Sequence, residues 1–337
     1  MQIKLNAPLD MHLHLRDESM LSTVGPLSSQ SFSGAIIMPN LVPPVSTKEE
    51  LLSYKTRILN ACKDDTFTPY MTLFFKPTYT KDFLESVRDE LTAIKLYPAG
   101  ITTNSEGGVS GFEVEDLRQT LEAMAELEIP LCIHGETNGF VMDREAEFVP
   151  VYEKLATAFP KLKIIMEHIT TKESVEALDK FENLYATITL HHLMITLNDV
   201  AGGMLQPHLF CKPIAKRPED REALRKVALE GHPKVMFGSD SAPHPQHAKE
   251  SCGCAAGVFT APIALQVLTD LFMENSTLEK LQAFISENAQ NIYKHIDVVS
   301  KTVTLEKKPF TVPEIYDTVV PMYAGETLSY NIVKIEA

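Results

Sequence analysis

Short apolar runs recur along the chain, and most are followed by a stretch with helical spacing. The first alternates, with Leu9, Met11, Leu13 and Leu15 set against Asp10, His12, His14 and Arg16. A period of two marks a strand with one buried face, so His12 and His14 should project together, with Arg16 next to them. Further runs follow at 34–40, 68–75, 91–97, 130–135, 163–168, 184–191 and 234–240. Helical patterns at 47–63, 80–90, 113–127, 143–159 and 172–181 lie between them. Eight strands alternating with helices predict a parallel sheet, and eight is the number that closes an α/β (β/α)8 TIM barrel. More helix begins at 278, followed by strand-like pieces at 302–305 and 328–335. The chain therefore reads as one domain, 1–337, with 278–337 as a short C-terminal extension packed on the barrel.

A barrel changes the meaning of the polar residues. His12, His14, Asn40, Lys95, His134, His168 and Asp240 fall at or near the C-terminal ends of six different strands. Those ends form the active-site face of this fold. A single polar strand end is usually just a satisfied polar residue, but six together are hard to explain that way. Four histidines and an aspartate suit zinc better than calcium or magnesium. They also exceed what one tetrahedral catalytic zinc needs, because such a site keeps a position open. Two metals sharing a bridging ligand would use them all. Lys95 is the candidate bridge. As an ammonium it cannot ligate, but a buried lysine loses its proton readily and could take up carbon dioxide as a bidentate carbamate. The commoner fate of such a lysine is to pair with a carboxylate, and the spacing alone leaves both readings open.

Composition narrows the partners. The 337 residues are 44% hydrophobic and 23% charged, ordinary for a globular protein whose core needs no disulfide. A formal net charge of −14 argues against nucleic acid or an anionic membrane as partner. It also requires that an anionic substrate be held by local cations. The five cysteines are odd in number and scattered, no secretory signal is evident, and no apolar run reaches the roughly 18 residues of a membrane span. A reducing cytoplasm is expected. Cys252 and Cys254 lack a second ligand pair at zinc-finger spacing, so a tight loop is expected there. His191 and His192 close the seventh run as support for neighbouring groups, and His208, His232 and His247 read as loop or surface residues.

The specific pieces are Asp10-Met-His-Leu-His-Leu-Arg-Asp17, Met38-Pro-Asn40, Ile94-Lys-Leu-Tyr-Pro-Ala99 with Thr102-Thr103-Asn104, Ile133-His-Gly-Glu136 and Met166-Glu-His168. Lys212-Pro-Ile with Lys216-Arg217, Gly238-Ser-Asp-Ser-Ala-Pro-His244 and Cys252-Gly-Cys-Ala255 complete them. This set resembles the amidohydrolase superfamily and, within it, the dihydroorotases of the shorter, bacterial type. The resemblance spans nearly the whole chain; only Gly100-Ile101 departs from it.

The resemblance implies reversible cyclisation of N-carbamoyl-L-aspartate to L-dihydroorotate, the third step of pyrimidine biosynthesis. It implies two zinc ions per subunit with a bridging hydroxide. His12, His14 and Asp240 would hold one ion and His134 and His168 the other, with Lys95, modified to N6-carboxylysine, between them. Asp240 would be the catalytic base. Arg16, Asn40 and His244 would grip the substrate carboxylate, with His14, Leu15 and His134 beside the substrate. The backbone at Lys212 and Ala255 would contact the ring, and Thr102 and Thr103 would belong to a mobile loop. Arg16, the zinc pair and His244 would supply positive potential. A homodimer acting on a small molecule is implied. Two competing readings are a hydantoinase or dihydropyrimidinase, whose substrates lack that carboxylate, and a catalytically inactive homologue, which should have lost ligands.

Overall fold

A computed structural model describes residues 2–337. Its strands are β1 (Gln2–Asn6), β2 (Leu9–Leu13), β3 (Gly34–Ile37), β4 (Thr68–Phe74), β5 (Ala93–Leu96), β6 (Leu131–Ile133), β7 (Ile164–Met166), β8 (Leu184–Ile188), β9 (Val235–Phe237), β10 (Thr302–Thr311) and β11 (Thr327–Glu336). Strands β2 to β9 form one eight-stranded sheet in sequence order, each parallel to the next. The ends meet just past the last strand. Asp240 N donates to His12 O at 2.8 Å and His14 N to Ser241 O at 3.2 Å, closing β9 onto β2. The (β/α)8 barrel read from the sequence is the observed fold.

Nearly every residue of the barrel strands is buried, as expected when helices cover one face and side chains fill the other. Leu9, Met11, Ile36, Met38, Tyr70, Ala93, Cys132, Ile165 and Met236 come from seven of the eight barrel strands and the residue just past β3. They fill the interior, and Ala289, Ile292 and Tyr293 plug one end. The alternate set, including Leu13, Leu15, Ile37, Ile94, Leu96, Leu131 and Ile133, joins the larger core with the helices.

Strand β2 departs from the simple alternation of its sequence. Leu9 and Met11 lie in the interior cluster, whereas Leu13 and Leu15 lie in the helix-facing one. Between Asp10 and Leu13 this strand advances three residues while β3 advances two, from Ala35 to Ile37. An extra residue of this kind re-aims the side chains that follow it. The bulge lets one strand place leucine and methionine low in the barrel and His12 and His14 at its mouth.

Three further departures are seen, the first two with local causes. The run 184–191 is not one strand. It stops at Ile188, because Thr189 Oγ1 accepts from His192 N and caps a short helix, Leu190–Met194. The pattern at 143–159 begins as a 3-10 turn, Ala146–Phe148, before the helix Val149–Ala158. The tail strands are longer than expected; they pair antiparallel with each other, and β10 also pairs antiparallel with β1. In that small sheet Ile3 faces Leu305 and Leu5 faces Val303, so the N-terminal segment is tied to a hairpin almost 300 residues away.

Candidate metal centre and substrate pocket

The six candidate ligands converge at the barrel mouth, all buried. His14 Nε2 lies 3.1 Å, and His12 Nε2 3.5 Å, from Asp240 Oδ1. His134 Nδ1 lies 3.1 Å from His168 Nε2, and the His12 and His168 rings are 4.9 Å apart. Lys95 is wholly buried and its Nζ has no hydrogen-bond partner. Burial pulls its ammonium below the ordinary lysine range, so it sheds its proton more readily. Burial also holds His14 and His168 well below the usual histidine range, reinforced by Arg16 at the first and His134 at the second. Both imidazoles are therefore neutral at physiological pH, the form that ligates a metal.

Two carboxylates set how those rings are presented. Glu167 Oε2 is 2.7 Å from His12 Nδ1 and also accepts from Thr187 Oγ1 at 2.6 Å. Glu136 Oε2 is 2.7 Å from His134 Nε2. With Nδ1–H donating to Glu167, His12 presents a bare Nε2 toward Asp240. With Nε2–H donating to Glu136, His134 presents a bare Nδ1 toward His168. Burial works to raise Glu167, but His12, Lys95 and the hydrogen bonds outweigh it and bring the carboxyl down to about 2. Below them Asp10 accepts from Ser239 N at 2.7 Å, Ser239 Oγ at 2.5 Å and His12 N at 3.2 Å. That clamp joins β2 to the end of β9. The sequence reading gave no role to these three acids. Their only signal was a carboxylate one or two residues from a candidate ligand.

The backbone at the mouth is unusual. Arg16, His168 and Asp240 adopt φ of 58°, 40° and 43°, a region that non-glycine residues rarely enter. Such conformations persist where the surroundings over-determine them, typically at functional sites. Gly238 is required for a related reason: a Cβ there would stand 2.9 Å from both the His12 and the Thr187 Cβ atoms.

A pocket opens beside the ligands, lined by Arg16, Asn40, Thr102, Thr103, Lys212, Ala256 and Gly257. The loop that follows β5 covers it. Asn40 Nδ2 donates to Thr103 O at 3.0 Å, Asn104 Nδ2 to Asn40 O at 2.9 Å and Lys212 Nζ to Ile101 O at 3.0 Å.

Comparison with known proteins places the chain. The sequence profile of the Amidohydrolase family matches residues 8–297. A dihydroorotase of Helicobacter hepaticus is 44% identical over 98% of this chain and 97% of its own. The crystal structure of a dihydroorotase from Campylobacter jejuni superposes with a TM-score of 0.95 at 59% identity, covering 99% of this chain and 98% of that one. A Saccharomyces cerevisiae dihydroorotase in complex with 5-fluoroorotic acid gives 0.92 at 34% identity, over 98% of both chains. The chain belongs to the dihydroorotase family. The resemblance read from the motifs is thereby borne out, and with it the assignment to the hydrolases.

Dihydroorotases are metal-dependent, and the donor set here fits zinc. Imidazole nitrogens of His134 and His168 face each other at 3.1 Å, and His12, His14 and Asp240 form a second compact cluster. Lys95 Nζ stands buried with no partner. A buried amine left without a partner is costly, and native interiors rarely keep one unsatisfied.

The expected dihydroorotase substrate contacts are not all placed alike. Arg16 Nε donates to Pro243 O at 3.1 Å, and its Nη2 lies 3.0 Å from His244 Nε2. That same His244 nitrogen is 3.0 Å from Ala256 O, and it cannot accept from one and donate to the other at once. Burial, then Arg16, push His244 down to about 3, so it is neutral and supplies no positive potential, contrary to the sequence reading. Leu15 is fully buried in the core, leaving only its backbone for a ligand. The pocket wall near Ala255 is formed instead by Ala256 and Gly257, because the Ala255 N–H donates to Ala248 O and its carbonyl accepts from Lys249 Nζ. Among the described residues no helix is long and apolar enough to cross a membrane.

Proposed function

We propose that the pocket interconverts N-carbamoyl-L-aspartate and L-dihydroorotate in pyrimidine biosynthesis, on a centre of two zinc ions. The observation that carries this reading is the junction of two chemistries in one cleft. A His/Asp/Lys donor set suited to zinc lies directly beside Arg16. His12, His14 and Asp240 would hold one ion, and His134 through Nδ1 and His168 the other. Lys95, carrying a carbon dioxide-derived carbamate as N6-carboxylysine, would be shared by both. Zinc held there supplies Lewis acidity and lowers the pKa of a bound water.

The chain's own groups do the rest. Arg16 grips the substrate carboxylate by its guanidinium fork, helped by the amide of Asn40 and the neutral imidazole of His244. His14, the Leu15 backbone and His134 lie alongside, and the Lys212 and Ala255 segments flank the ring. On hydrolysis the water oxygen bonds to the ring amide carbon as its C–N bond breaks. Asp240 takes a proton from that water and delivers it to the leaving ring nitrogen. Burial raises the Asp240 carboxyl, which favours this exchange. Cyclisation reverses each transfer and expels water. Thr102 and Thr103, as a mobile loop docked on Asn40, keep bulk solvent out.

On the same reading residues 1–337 act as one unit, supported by β1 sharing a sheet with β10 and β11. The exposed apolar side chains of Phe140, Met204 and Leu205 offer a surface that a homodimer would bury. The five cysteines are all free, in keeping with a cytoplasmic location. Metal analysis paired with an assay of dihydroorotate hydrolysis tests the function. Two or more zinc ions per chain with turnover of dihydroorotate are expected. Turnover of dihydropyrimidines instead, or metal-free inactive protein, would overturn it.

A further inference from the structure

A second cluster of ligand-type side chains stands outside the centre already described. Cys211 immediately precedes Lys212 of the pocket wall, and His191 and His192 belong to the short helix after β8. All three are buried, at 1%, 0% and 2% exposure. One donor atom from each lies within 4.8 Å of the other two. His192 Nε2 is 3.5 Å from Cys211 Sγ, and the Pro213 carbonyl oxygen is 3.0 Å from the first and 3.2 Å from the second. Neither ring nitrogen of His191 has a hydrogen-bond partner. A buried imidazole with both nitrogens unpaired is costly, and native interiors rarely keep one without a ligand or water to satisfy it.

The His192–Cys211 spacing matches a metal. With Zn–N near 2.05 Å and Zn–S near 2.3 Å, the nitrogen–sulfur edge of a tetrahedron is about 3.5 Å. Thr189 Oγ1, 2.9 Å from His192 Nδ1, can accept from an Nδ1–H. That tautomer would free Nε2, now 3.0 Å from the Pro213 carbonyl oxygen, for a metal, the arrangement in which a histidine ligand's other nitrogen is anchored. A sulfur donor selects a thiophilic ion over magnesium or calcium.

We propose that His191, His192 and Cys211, with the Pro213 carbonyl as fourth donor, bind a third, thiophilic metal ion, zinc being the natural occupant. The ion would brace the segment from Cys211 to Pro213 behind the pocket wall. This site is independent of the reaction assigned to the pocket, and its test does not read activity.

The proposed pair of zinc sites contains only nitrogen and oxygen donors, so sulfur ligation reports the new site alone. In the full-length zinc-loaded enzyme, metal analysis should give three ions per chain, and X-ray absorption should show a zinc–sulfur distance near 2.3 Å. Enzyme produced with cobalt should carry a sulfur-to-cobalt charge-transfer band in the near ultraviolet. Cys211→Ala and His191→Gln should each lose one metal per chain, and Cys211→Ala should lose the band. The double variant Cys252→Ala/Cys254→Ala should keep both. No sulfur ligation in the unmodified protein, or a band that survives Cys211→Ala, would overturn the proposal. Should the Cys211 variant fail to fold, the absorption data on the unmodified chain decide.

Discussion

Glu167 Oε2 and His12 Nδ1 are 2.7 Å apart, both buried, and the contact settles which nitrogen of His12 faces Asp240. The carboxylate is itself held by Thr187, so the ring is fixed from two strands. A group that orients a ligand without touching the metal typically accounts for 10- to 100-fold in metal affinity. Glu167→Gln keeps an acceptor but removes the charge, and zinc affinity should fall by about 10-fold or more. Competition with a chromophoric chelator measures it, with circular dichroism to confirm the fold. An unchanged affinity would remove Glu167 from the centre.

Lys95 is buried without a hydrogen-bond partner, and burial favours its uncharged amine. An uncharged amine is what carbon dioxide adds to. Lys95→Ala should lose one or both metals and lower turnover by orders of magnitude. Added acetate or propionate, which restores a carboxylate at the same place, should recover part of the activity. Full metal content and full rate in this variant would show that the lysine is not a bridge.

Arg16 reaches the pocket in a left-handed backbone conformation, with Nε pinned by the Pro243 carbonyl. Its loss removes charge-assisted hydrogen bonds worth roughly 1.5–3 kcal/mol. Arg16→Ala should therefore raise KM for N-carbamoyl-L-aspartate by about 10- to 100-fold while metal content stays constant. Arg16→Lys should recover little, because an ammonium cannot reproduce the guanidinium fork. A KM that does not move in Arg16→Ala would contradict the assignment.

The barrel and the convergence of the candidate ligands were legible in the sequence because both follow from short-range regularity. Eight apolar runs spaced by helices specify a closed sheet, and polar residues at their ends fall together whatever the loops do. Three features were not legible. The bulge in β2 puts Leu9 and Leu13 in different clusters, although the sequence alternates evenly past both. The pairing of Gln2–Asn6 with Thr302–Thr311 is a contact between chain ends that no local period encodes. The roles of Glu136 and Glu167 depend on a side chain from another part of the barrel or on a ring's orientation, and only the folded geometry supplies those.

Asp240 is both a candidate ligand and the candidate proton carrier, and one substitution can separate these. Asp240→Ala should abolish measurable turnover, a loss of at least about 1,000-fold for a general base. His12, His14 and Lys95 remain to hold metal, so zinc content should fall far less than rate. Substantial retained activity would remove Asp240 from proton transfer. Loss of zinc in proportion to rate would reduce it to a ligand.

Lys301 is 2% exposed, and its Nζ donates to the carbonyls of Ser29, Gln30 and Phe32 just past the helix Glu18–Ser29. The final carbonyls of a helix have no partner within it, so this ammonium takes the place of a C-terminal cap. The Lys301 carbonyl in turn accepts from Ala7 N at 2.7 Å, at the junction between β1 and β2. One residue thus binds the first helix, the entrance to the barrel and the start of β10. Lys301→Met keeps the apolar stem but leaves buried carbonyls unsatisfied, at about 1–3 kcal/mol for each group wholly deprived of a partner. Urea unfolding should show a loss of about 3 kcal/mol with an unchanged slope. Zinc content and KM should be unaffected, since no candidate ligand or pocket residue touches this lysine's ammonium. A midpoint equal to that of the unmodified chain would mean that water replaces the ammonium at no cost.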